Sequence, residues 1–402
     1  MRNVLVLPGS NWQIKLVKKI REMGNNVFVV NPYENSPCFP FATDYLKEDI
    51  FNIPQIIEFC KRKNIDAVIS DECDIAMPVV ARLAEELGCI ALSSDMARLY
   101  TDKYLMREFC VENGIPCPEY KLCERVEDAL KFFNSIKAPM VMKPLDSNAS
   151  KGVFKVCNEQ QIKDLFEQSL SFSRTKKCVL LERFISGTEF TIDGVKTPSK
   201  HFTLAISEKK HFEHNVNIAS ELFFTYDNDN FNYDELRKVN DLFVMKSSLE
   251  FGFTHAEYKY ENGKFYLIEI AARGGGNMIS SVIAPYLSGF DTYKYLIESS
   301  LNGAKDVDFS FPENNKKRAA ILKFFKTPNG GGLVKEIKGL DVLDNDPRVY
   351  EYKLNFNCGD VIEDAISDSA RIGFYIACAE NQNELKLVVE KIEKNFEIVL
   401  EK

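Results

Sequence analysis

The sequence lacks the features that mark several common protein classes. No apolar run approaches the ~18 residues that a membrane-spanning helix needs, and the run before Pro8 is too short for a signal peptide. The 11 cysteines are scattered from Cys38 to Cys378 without a C-x-x-C pair, which argues against a disulfide framework and against a zinc ribbon. Lys and Arg number 51 against 59 Asp and Glu, so the net charge of −8 provides no long-range attraction to nucleic acid or to an anionic membrane. We therefore expect a cytoplasmic protein with no nucleic-acid and no membrane partner.

The composition is that of a folded globular chain. Hydrophobic residues make up 45% and charged residues 27% of the chain, close to the averages for soluble domains. At roughly 150 residues per domain, 402 residues correspond to two or three domains. In the first hundred residues, apolar runs at 4–7, 27–30 and 67–69 alternate with segments of helical spacing at 12–23, 54–63 and 74–87. This alternation predicts a βαβαβα unit with a parallel sheet buried on both faces.

Glycine and proline mark the next boundary. Gly114, Pro116 and Pro118 interrupt a helical stretch and are typical of an extended connector. The segment after them predicts a compact α+β unit that could move as a lid, and from residue 201 onward strands predominate. We expect an α/β and α+β multidomain chain with an N-terminal parallel α/β domain at 1–112, a small lid at 113–195, an antiparallel core at 196–315 and a β-rich C-terminal segment at 316–402 packed on the core.

The hairpin at residues 253–273 carries two acidic residues, Glu257 and Glu269, among apolar neighbours. Whether the two carboxylates lie on the same face of the hairpin depends on the length of the turn. With a two-residue turn at Asn262-Gly263, Glu257 lies opposite Ile268, and the two carboxylates point to opposite faces.

A three-residue loop reverses that result. If Glu261-Asn262 form a type I turn and Gly263 an αL bulge, Glu257 lies opposite Leu267, and Glu269 becomes its diagonal neighbour on the same face. Glycine at the third loop position favours this second geometry.

On that geometry the two carboxylates converge with a guanidinium. Strand periodicity puts Glu269, Ala271 and Arg273 on one face. Two close acids repel each other unless a cation lies between them, and hard oxygen ligands favour Mg²⁺ or Mn²⁺, usually together with substrate phosphates. The alternative is a pair of strand glutamates that face solvent or pair with lysines on a neighbouring strand.

Three further segments carry polar groups that suit a nucleotide. Lys143 ends an apolar strand beside the small, polar loop at residues 145–152, which predicts a phosphate clamp, and Lys103 at the start of a helix offers a second ammonium unless it is simply solvated. The strand near residues 180–189 breaks at Gly187 between Glu182 and Glu189. The free backbone groups at such a strand end can bind an adenine edge.

Taken in order, these residues resemble the ATP-grasp superfamily of carboxylate-amine ligases, in the branch of amino-acid ligases and biotin carboxylases. The resemblance implies the ATP-grasp fold, with ATP held between the lid and the third domain. Lys103 and Lys143 match the family's two phosphate-binding lysines, and the loop that covers the phosphates is matched by Ser147, Ser150, Lys151, Gly152 and Val153. The hinge that binds adenine is matched by Glu182, Arg183, Phe184 and Ile185. Glu189 matches the residue that binds the ribose, and Glu257 and Glu269 match the two metal ligands. Arg273 matches the arginine that steadies an acyl phosphate.

Two positions depart from the family pattern. Ala271 stands where an Asn is usual, so one metal-ligand oxygen is missing, and Asn148-Ala149 stand where the phosphate loop often has glycines. Residues 329–332 and 369–373 look like the C-terminal part of the amino-acid-ligase branch.

The resemblance implies a ligase that uses ATP and Mg²⁺ (or Mn²⁺) to join a small-molecule carboxylate to an amine through an acyl phosphate. The glycines before Asn277, Gly275 and Gly276 among them, allow close approach to a ligand, and Asn277 is expected to cap the following helix, although a plain turn remains an alternative. His214 is a candidate for serving the acceptor, or else a structural histidine. Two alternatives remain for the function: a kinase or carboxylase on the same scaffold, and a non-catalytic nucleotide-binding regulator. The chain is also compatible with a homodimer.

Overall fold

The computed structural model describes residues 1–145, 152–173 and 177–401. Within these ranges the strands assemble into four sheets. The strands are β1 (Asn3–Val6), β2 (Asn26–Val30), β3 (Asp44–Leu46), β4 (Ala67–Ile69), β5 (Tyr120–Cys123), β6 (Met140–Pro144), β7 (Phe154–Val156), β8 (Val179–Arg183), β9 (Glu189–Lys196), β10 (His201–Phe212), β11 (Asn215–Phe224), β12 (Gly252–Glu261), β13 (Lys264–Ala271), β14 (Ala319–Phe324), β15 (Gly331–Lys338), β16 (Val349–Leu354), β17 (Val361–Glu363), β18 (Gly373–Ala379) and β19 (Glu397–Leu400). The α-helices are α1 (Ile14–Glu22), α2 (Ile53–Lys63), α3 (Met77–Leu87), α4 (Ser94–Leu99), α5 (Lys103–Glu112), α6 (Val126–Ile136), α7 (Glu159–Ser171), α8 (Tyr233–Lys246), α9 (Ala284–Ser288), α10 (Thr292–Asn302), α11 (Leu340–Asn345) and α12 (Gln382–Asn395).

The N-terminal sheet is parallel, with strand order β3-β2-β1-β4. The central strand β1 is buried because apolar side chains pack on both of its faces, as the uninterrupted apolar run predicts. This confirms the expected parallel α/β unit. The periodicity missed β3, which is only three residues long at the sheet edge and carries the half-exposed Tyr45.

A small antiparallel sheet, with order β5-β8-β6-β7, follows the connector. Helices α6 and α7 pack on it around a core of their own that includes Met140, Met142, Ile162 and Phe166. We propose that this unit acts as the lid, because its apolar side chains form a core separate from those of the other sheets.

The third sheet is the largest, with order β13-β12-β9-β10-β11-β14-β18-β16. It contains β9, which the expected boundary at residue 195 assigns to the lid, and the C-terminal strands β14, β16 and β18, which the boundary at 315 assigns to a separate segment. We therefore propose that the lid ends before Glu189, and that the C-terminal segment completes the core sheet. The fourth sheet, β17-β15-β19, closes the C-terminal end with α12.

None of the helices that the structure describes is long and apolar enough to span a bilayer.

Candidate active site

A cavity of about 370 Å³ lies where the N-terminal domain, the lid and the large sheet meet. The C-terminal segment also reaches its wall. The residues predicted from the sequence that line this cavity are Lys103, Lys143, Val153, Glu182, Arg183, Phe184, Ile185, Glu189, Glu257, Glu269, Arg273, Gly276 and Asn277.

The remaining predicted site residues fall into two groups. Gly152, Gly275 and His214 are described by the structure but are not among the residues that line the cavity. Ser147, Ser150 and Lys151 lie outside the described residues.

Glu257 on β12 and Glu269 on β13 form a directly opposed cross-strand pair, so their carboxylates share a face. The three-residue loop expected for this hairpin is wrong: Glu261 pairs with Lys264, which leaves a two-residue turn at Asn262 and Gly263. Both turn residues have positive φ, at 50° and 82°, as a type I′ turn requires.

A β-bulge brings the two acids together in spite of this turn. Tyr258 pairs with Leu267, but the next pair is Glu257 with Glu269, so Ile268 is an extra residue in β13. The carbonyl of Ile268 accepts a hydrogen bond from Nη2 of Arg107 at 2.6 Å. The bulge therefore replaces the odd loop as the reason that the carboxylates converge.

Each of the two acids is paired with a lysine. Nζ of Lys103, the first residue of α5, lies 2.8 Å from Oε1 of Glu269. Nζ of Lys209 on β10 lies 3.0 Å from Oε1 of Glu257 and 2.5 Å from Oε1 of Glu189. Glu257 is thus paired with a lysine of β10, two strands away in the sheet, and the pair lies within the cavity.

Glu189 is the most strongly perturbed of these acids. Burial disfavours its charged form, but the opposing charge of Lys209, the hydrogen bond with His211 and the charge of Lys259 outweigh burial and hold its pKa far below the usual range. Lys209 and Lys259 are its cross-strand partners on β10 and β12, so the sheet register itself surrounds Glu189 with cations.

A buried ion-pair network links α5 to the lid. Nε of Arg107 lies 2.7 Å from Oε1 of Glu182, and Nζ of Lys143 lies 2.6 Å from Oε2 of the same carboxylate. All three side chains are at most 5% exposed. Burial raises the pKa of Glu182, but the charges of Arg107 and Lys143 outweigh it and lower the pKa overall. The side chain of Glu182 therefore orients Lys143, whereas the sequence suggested only a role for its backbone.

The hinge after β8 joins the lid to the large sheet. The backbone N–H groups of Arg183 and Phe184 donate to the carbonyls of Glu119 and Pro139, at 2.8 Å each. A Cβ on Gly187, whose φ is 108°, would lie 2.3 Å from the carbonyl oxygen of Tyr260, so only glycine fits where the hinge crosses β12.

Arg273 makes a bidentate ion pair with Asp74 of the N-terminal domain, from Nε at 2.8 Å and from Nη2 at 2.7 Å. Its Nη1 donates to the Gly274 carbonyl. The next N–H groups are also engaged, because Gly274 donates to Asp71 and Gly275 to Asp193. A Cβ at Gly275 would lie 2.5 Å from Oδ1 of Asp193, so this glycine makes close approach to a buried carboxylate of the protein itself.

The expected helix cap at Asn277 is wrong. A short π-helix at Ile279–Ile283 follows the glycine loop, and its N-cap residue is Met278 rather than Asn277. The side chain of Met278 makes no capping hydrogen bond. The N–H of Met278 donates to Oε2 of Glu72 at 3.0 Å. Asn277 has a φ of 55° and lines the cavity, so it contributes as a wall residue rather than as a cap.

The histidine predicted to serve the acceptor lies away from the cavity lining. Nε2 of His214 contacts the Ala365 carbonyl at 3.2 Å, and its ring stacks on Phe212. Two other histidines, His211 and His255, line the cavity instead. His255 contacts Asp193 through Nδ1 at 2.9 Å and is the cross-strand partner of Ala271.

Sequence reasoning missed several residues that line the cavity, among them Asp74, Lys209, His211, His255 and Arg371, and it missed Arg107, which is buried against Glu182. A signal existed for three of these residues. Arg107 follows Lys103 by four residues, which puts both on one face of α5, and strand alternation puts Lys209 and His211 on one face of β10. Asp74 and Arg371 come from distant segments, and no local pattern points to them.

The two acids suit a magnesium ion that is shared with a substrate. Among the described residues there is no group of three or more His, Cys, Asp and Glu side chains placed to hold a metal. Mg²⁺ in such sites is usually held by one or two carboxylates together with substrate phosphates, which matches the opposed pair of Glu257 and Glu269. Ala271, 4% exposed beside them, adds no oxygen.

The comparisons with known proteins agree with this architecture. Residues 101–217 match the model of the phosphoribosylglycinamide synthetase ATP-grasp (A) domain, and residues 324–401 match L-amino acid ligase C-terminal domain 2. The chain is 21% identical to the L-arginine-specific L-amino acid ligase of Bacillus subtilis over 414 aligned positions, which cover 98% of this chain and 97% of that one.

Other relatives match only in part. The phosphoribosylamine–glycine ligase of Pyrococcus horikoshii is 27% identical over 204 residues, which is 48% of this chain and 46% of that protein, so the chain spans less than half of that ligase's length. Among solved structures, the L-amino acid ligase from Bacillus licheniformis superposes with a TM-score of 0.83 at 17% identity, over 100% of this chain and 99% of that chain.

Proposed function

Because this chain belongs to the ATP-grasp superfamily, we propose that it is an ATP-dependent ligase that joins a carboxylate to an amine through an acyl-phosphate intermediate. The expected fold is confirmed, with a parallel α/β domain, a small lid and an antiparallel core. The observation that carries the proposal is a cavity in which Lys103, Lys143, Glu257, Glu269 and Arg273 come together.

The reaction that suits this cavity has two steps. A carboxylate oxygen of the first substrate attacks the γ-phosphorus of ATP, the bond from that phosphorus to the bridging oxygen breaks, and ADP leaves. The amine nitrogen of the second substrate then attacks the acyl carbon, phosphate leaves with the electron pair of the broken C–O bond, and the nitrogen loses a proton. A carboxylate does not react directly with an amine in water, because the carboxylate anion is a poor electrophile. The acyl phosphate does react, because its phosphate is a good leaving group.

The protein's contribution is positioning and charge neutralisation. Lys103 and Lys143 are buried ammonium groups that converge from α5 and from the lid, and they suit the phosphates of ATP. Glu257 and Glu269 would hold Mg²⁺, which when bound neutralises charge on the phosphate oxygens. We propose that phosphate oxygens displace Glu269 from Lys103, which releases that carboxylate for the metal.

Arg273 has capacity for a substrate oxygen. Asp74 and the Gly274 carbonyl account for three of its N–H donors, so two of the five remain. Asp74 also fixes the plane of the guanidinium across the boundary between the N-terminal domain and the core. We propose that the remaining donors bind the reacting carboxylate or the acyl phosphate.

The proposal is tested by measuring phosphate release with ATP, Mg²⁺ and a panel of carboxylate and amine pairs, with mass spectrometry of the products. We expect phosphate release that needs both an acid and an amine, formation of ADP, and a product lighter than its two substrates by one water. Lys143→Met should abolish it, whereas Lys163→Met, a matched change at an exposed lid lysine on α7, should leave it unchanged. ATP turnover that is independent of any amine, or a stable phosphorylated product, would overturn the ligase assignment.

A further inference from the structure

A guanidinium of the C-terminal segment reaches the same cavity. Arg371 lies between the short helical turn at Asp368–Ala370 and β18, and its side chain lines the cavity that holds Glu257 and Glu269. Its Nη2 donates to the Asp368 carboxylate. The guanidinium lies over the ring of Phe324, with 3.8 Å from its central carbon to the ring centroid.

Arg371 is buried with a donor left over. The side chain is only 10% exposed, and its Nε is buried without a hydrogen-bond partner in the described part of the chain. A buried N–H that lacks an acceptor destabilises the structure, and such atoms are rare unless a ligand satisfies them. Arginine binds planar pairs of oxygens in a bidentate way, which makes a carboxylate or a phosphate the fitting acceptor.

Arg371 comes from a different part of the fold than the two lysines proposed for the phosphates, although its guanidinium is near enough to Glu257 for the two charges to interact. Lys103 and Lys143 reach the cavity from α5 and from the lid, whereas Arg371 lies just before the strand β18, which is five places away from β12 in the large sheet. The cavity wall near it is largely apolar. The apolar lining residues contributed by β11 and β14 are Val216, Ala219, Leu222, Leu322 and Phe324.

We propose that Arg371 is a specificity-determining residue that binds an anionic group, a carboxylate or a phosphate ester, carried by the amine substrate. This inference rests on the proposed ligase function. The carboxylate that reacts lies next to the γ-phosphate, so a second anionic group must belong elsewhere in the substrates. The amine has to approach the acyl carbon from a side that the phosphate does not occupy, which leaves the C-terminal wall of the cavity for the rest of the amine substrate.

Phe324 and Asp368 explain how Arg371 would bind a substrate anion. Asp368 and the ring of Phe324 hold the guanidinium plane in place, so its free edge faces a fixed direction and little order is lost on binding. Lysine at this position would keep the charge but lose the Nε donor and the planar fork. The proposal therefore predicts a difference between Arg371→Lys and the native protein.

The test compares amines that differ only in the anionic group. Steady-state kinetics are measured for the full chain, Arg371→Gln and Arg371→Lys, with an α-amino acid, the matching amino acid amide and a phosphate monoester amine as acceptors. We expect both variants to raise the KM for one anionic amine by about 10- to 100-fold, with the KM for ATP changed less than twofold and the amide acceptor unaffected. The anionic amine whose KM rises in the two variants, the carboxylate or the phosphate ester, identifies the group that Arg371 binds.

Arg318→Gln serves as the matched control, because Arg318 also pairs with a carboxylate and lies over an aromatic ring, those of Glu380 and Tyr286, but outside this cavity. It should leave all three KM values unchanged. Equal changes for all acceptors, or a raised KM for ATP, would overturn the role of Arg371 while leaving the ligase function intact. A wild-type chain without amine-dependent phosphate release on any acceptor would overturn both proposals.

Discussion

At Glu269, one carboxylate has two prospective partners, the ammonium of Lys103 at 2.8 Å and a divalent cation. Glu269→Gln keeps the shape of the side chain but removes its charge, so it should weaken the proposed metal site without opening a hole. We expect turnover at sub-saturating Mg²⁺ to fall by roughly 100-fold or more, with partial recovery at high Mg²⁺.

Circular dichroism of Glu269→Gln should match that of the native protein, because a neutral amide still accepts a hydrogen bond from Lys103. If turnover at low Mg²⁺ remains at the native rate, Glu269 does not hold the metal, and its only role is to pair with Lys103.

The lowered pKa of Glu189 predicts that the stability of the folded protein depends on pH. Its pKa is lowered in the folded chain by Lys209, His211 and Lys259 in spite of burial, whereas an unfolded glutamate titrates near pH ~4.3. A lowered carboxyl pKa contributes stability that is present above the unfolded value and is lost as the pH falls through the folded value. We expect Glu189→Gln to lower the free energy of unfolding by about 3 kcal/mol at pH 7.

Urea denaturation at a series of pH values checks this expectation. The difference between Glu189→Gln and the native protein should shrink steadily below about pH 4, where the unfolded carboxylate begins to take up its proton. A difference that is the same at pH 7 and pH 3 would show that Glu189 acts through packing rather than through its charge.

Among the elements, the hairpin of β12 and β13 shows what a sequence can and cannot specify. The alternation around Glu257 and Glu269 and the Asn-Gly turn are local patterns, and both are visible in the sequence. The bulge at Ile268 is not, because its carbonyl is stabilised by Arg107, which is more than 150 residues away along the chain. The convergence of the acids was therefore expected for the wrong reason, and the tertiary contact supplies the right one.

The same limit explains the misplaced histidine and cap. His214 lies in the tight connection between β10 and β11, where its ring stacks on Phe212 and its Nε2 contacts the carbonyl of Ala365, 151 residues further along the chain. At Asn277, a left-handed backbone and the bond from Met278 to Glu72 replace the expected capping geometry. In both places the deciding partner lies outside any window that periodicity examines.

Helix α5 and strand β8 are joined by the pair of Arg107 and Glu182, which is fully buried. Arg107→Leu leaves Glu182 with Lys143 alone and leaves the Ile268 carbonyl without this donor. Removing one partner of a buried ion pair typically costs about 3 to 5 kcal/mol. We expect a loss of that size in the free energy of unfolding, measured by chemical denaturation.

Arg82→Leu is the matched control for this change, since Arg82 pairs with Glu86 on the surface of α3 and is 57% exposed. It should change the free energy of unfolding by less than about 1 kcal/mol. If Arg107→Leu proves equally mild, the network does not hold α5 against the lid strand.

At the scale of the whole molecule, the proposed lid has its own hydrophobic core, and its hinge contacts the large sheet through charged side chains. Arg183 pairs with Glu261 at 2.7 Å, and the ammonium groups of Lys155 and Lys259 lie over the ring of Phe184, at 3.9 and 4.9 Å from its centroid. We propose that the lid rotates about these contacts. Closure over ATP would exclude water, which protects an acyl phosphate from hydrolysis.

Hydrogen exchange tests this closure. ATP with Mg²⁺ should slow amide exchange more in peptides that cover β6 and β7 of the lid than in peptides that cover β1 and β2 of the N-terminal sheet, because only the lid gains contacts on closing. ATP with a chelator in place of Mg²⁺ should have a smaller effect, since the acids would then repel the phosphates. Exchange in the lid that is indifferent to nucleotide, in a protein that still turns over ATP, would mean that the phosphates are held by the core alone and that residues 113–188 serve another purpose.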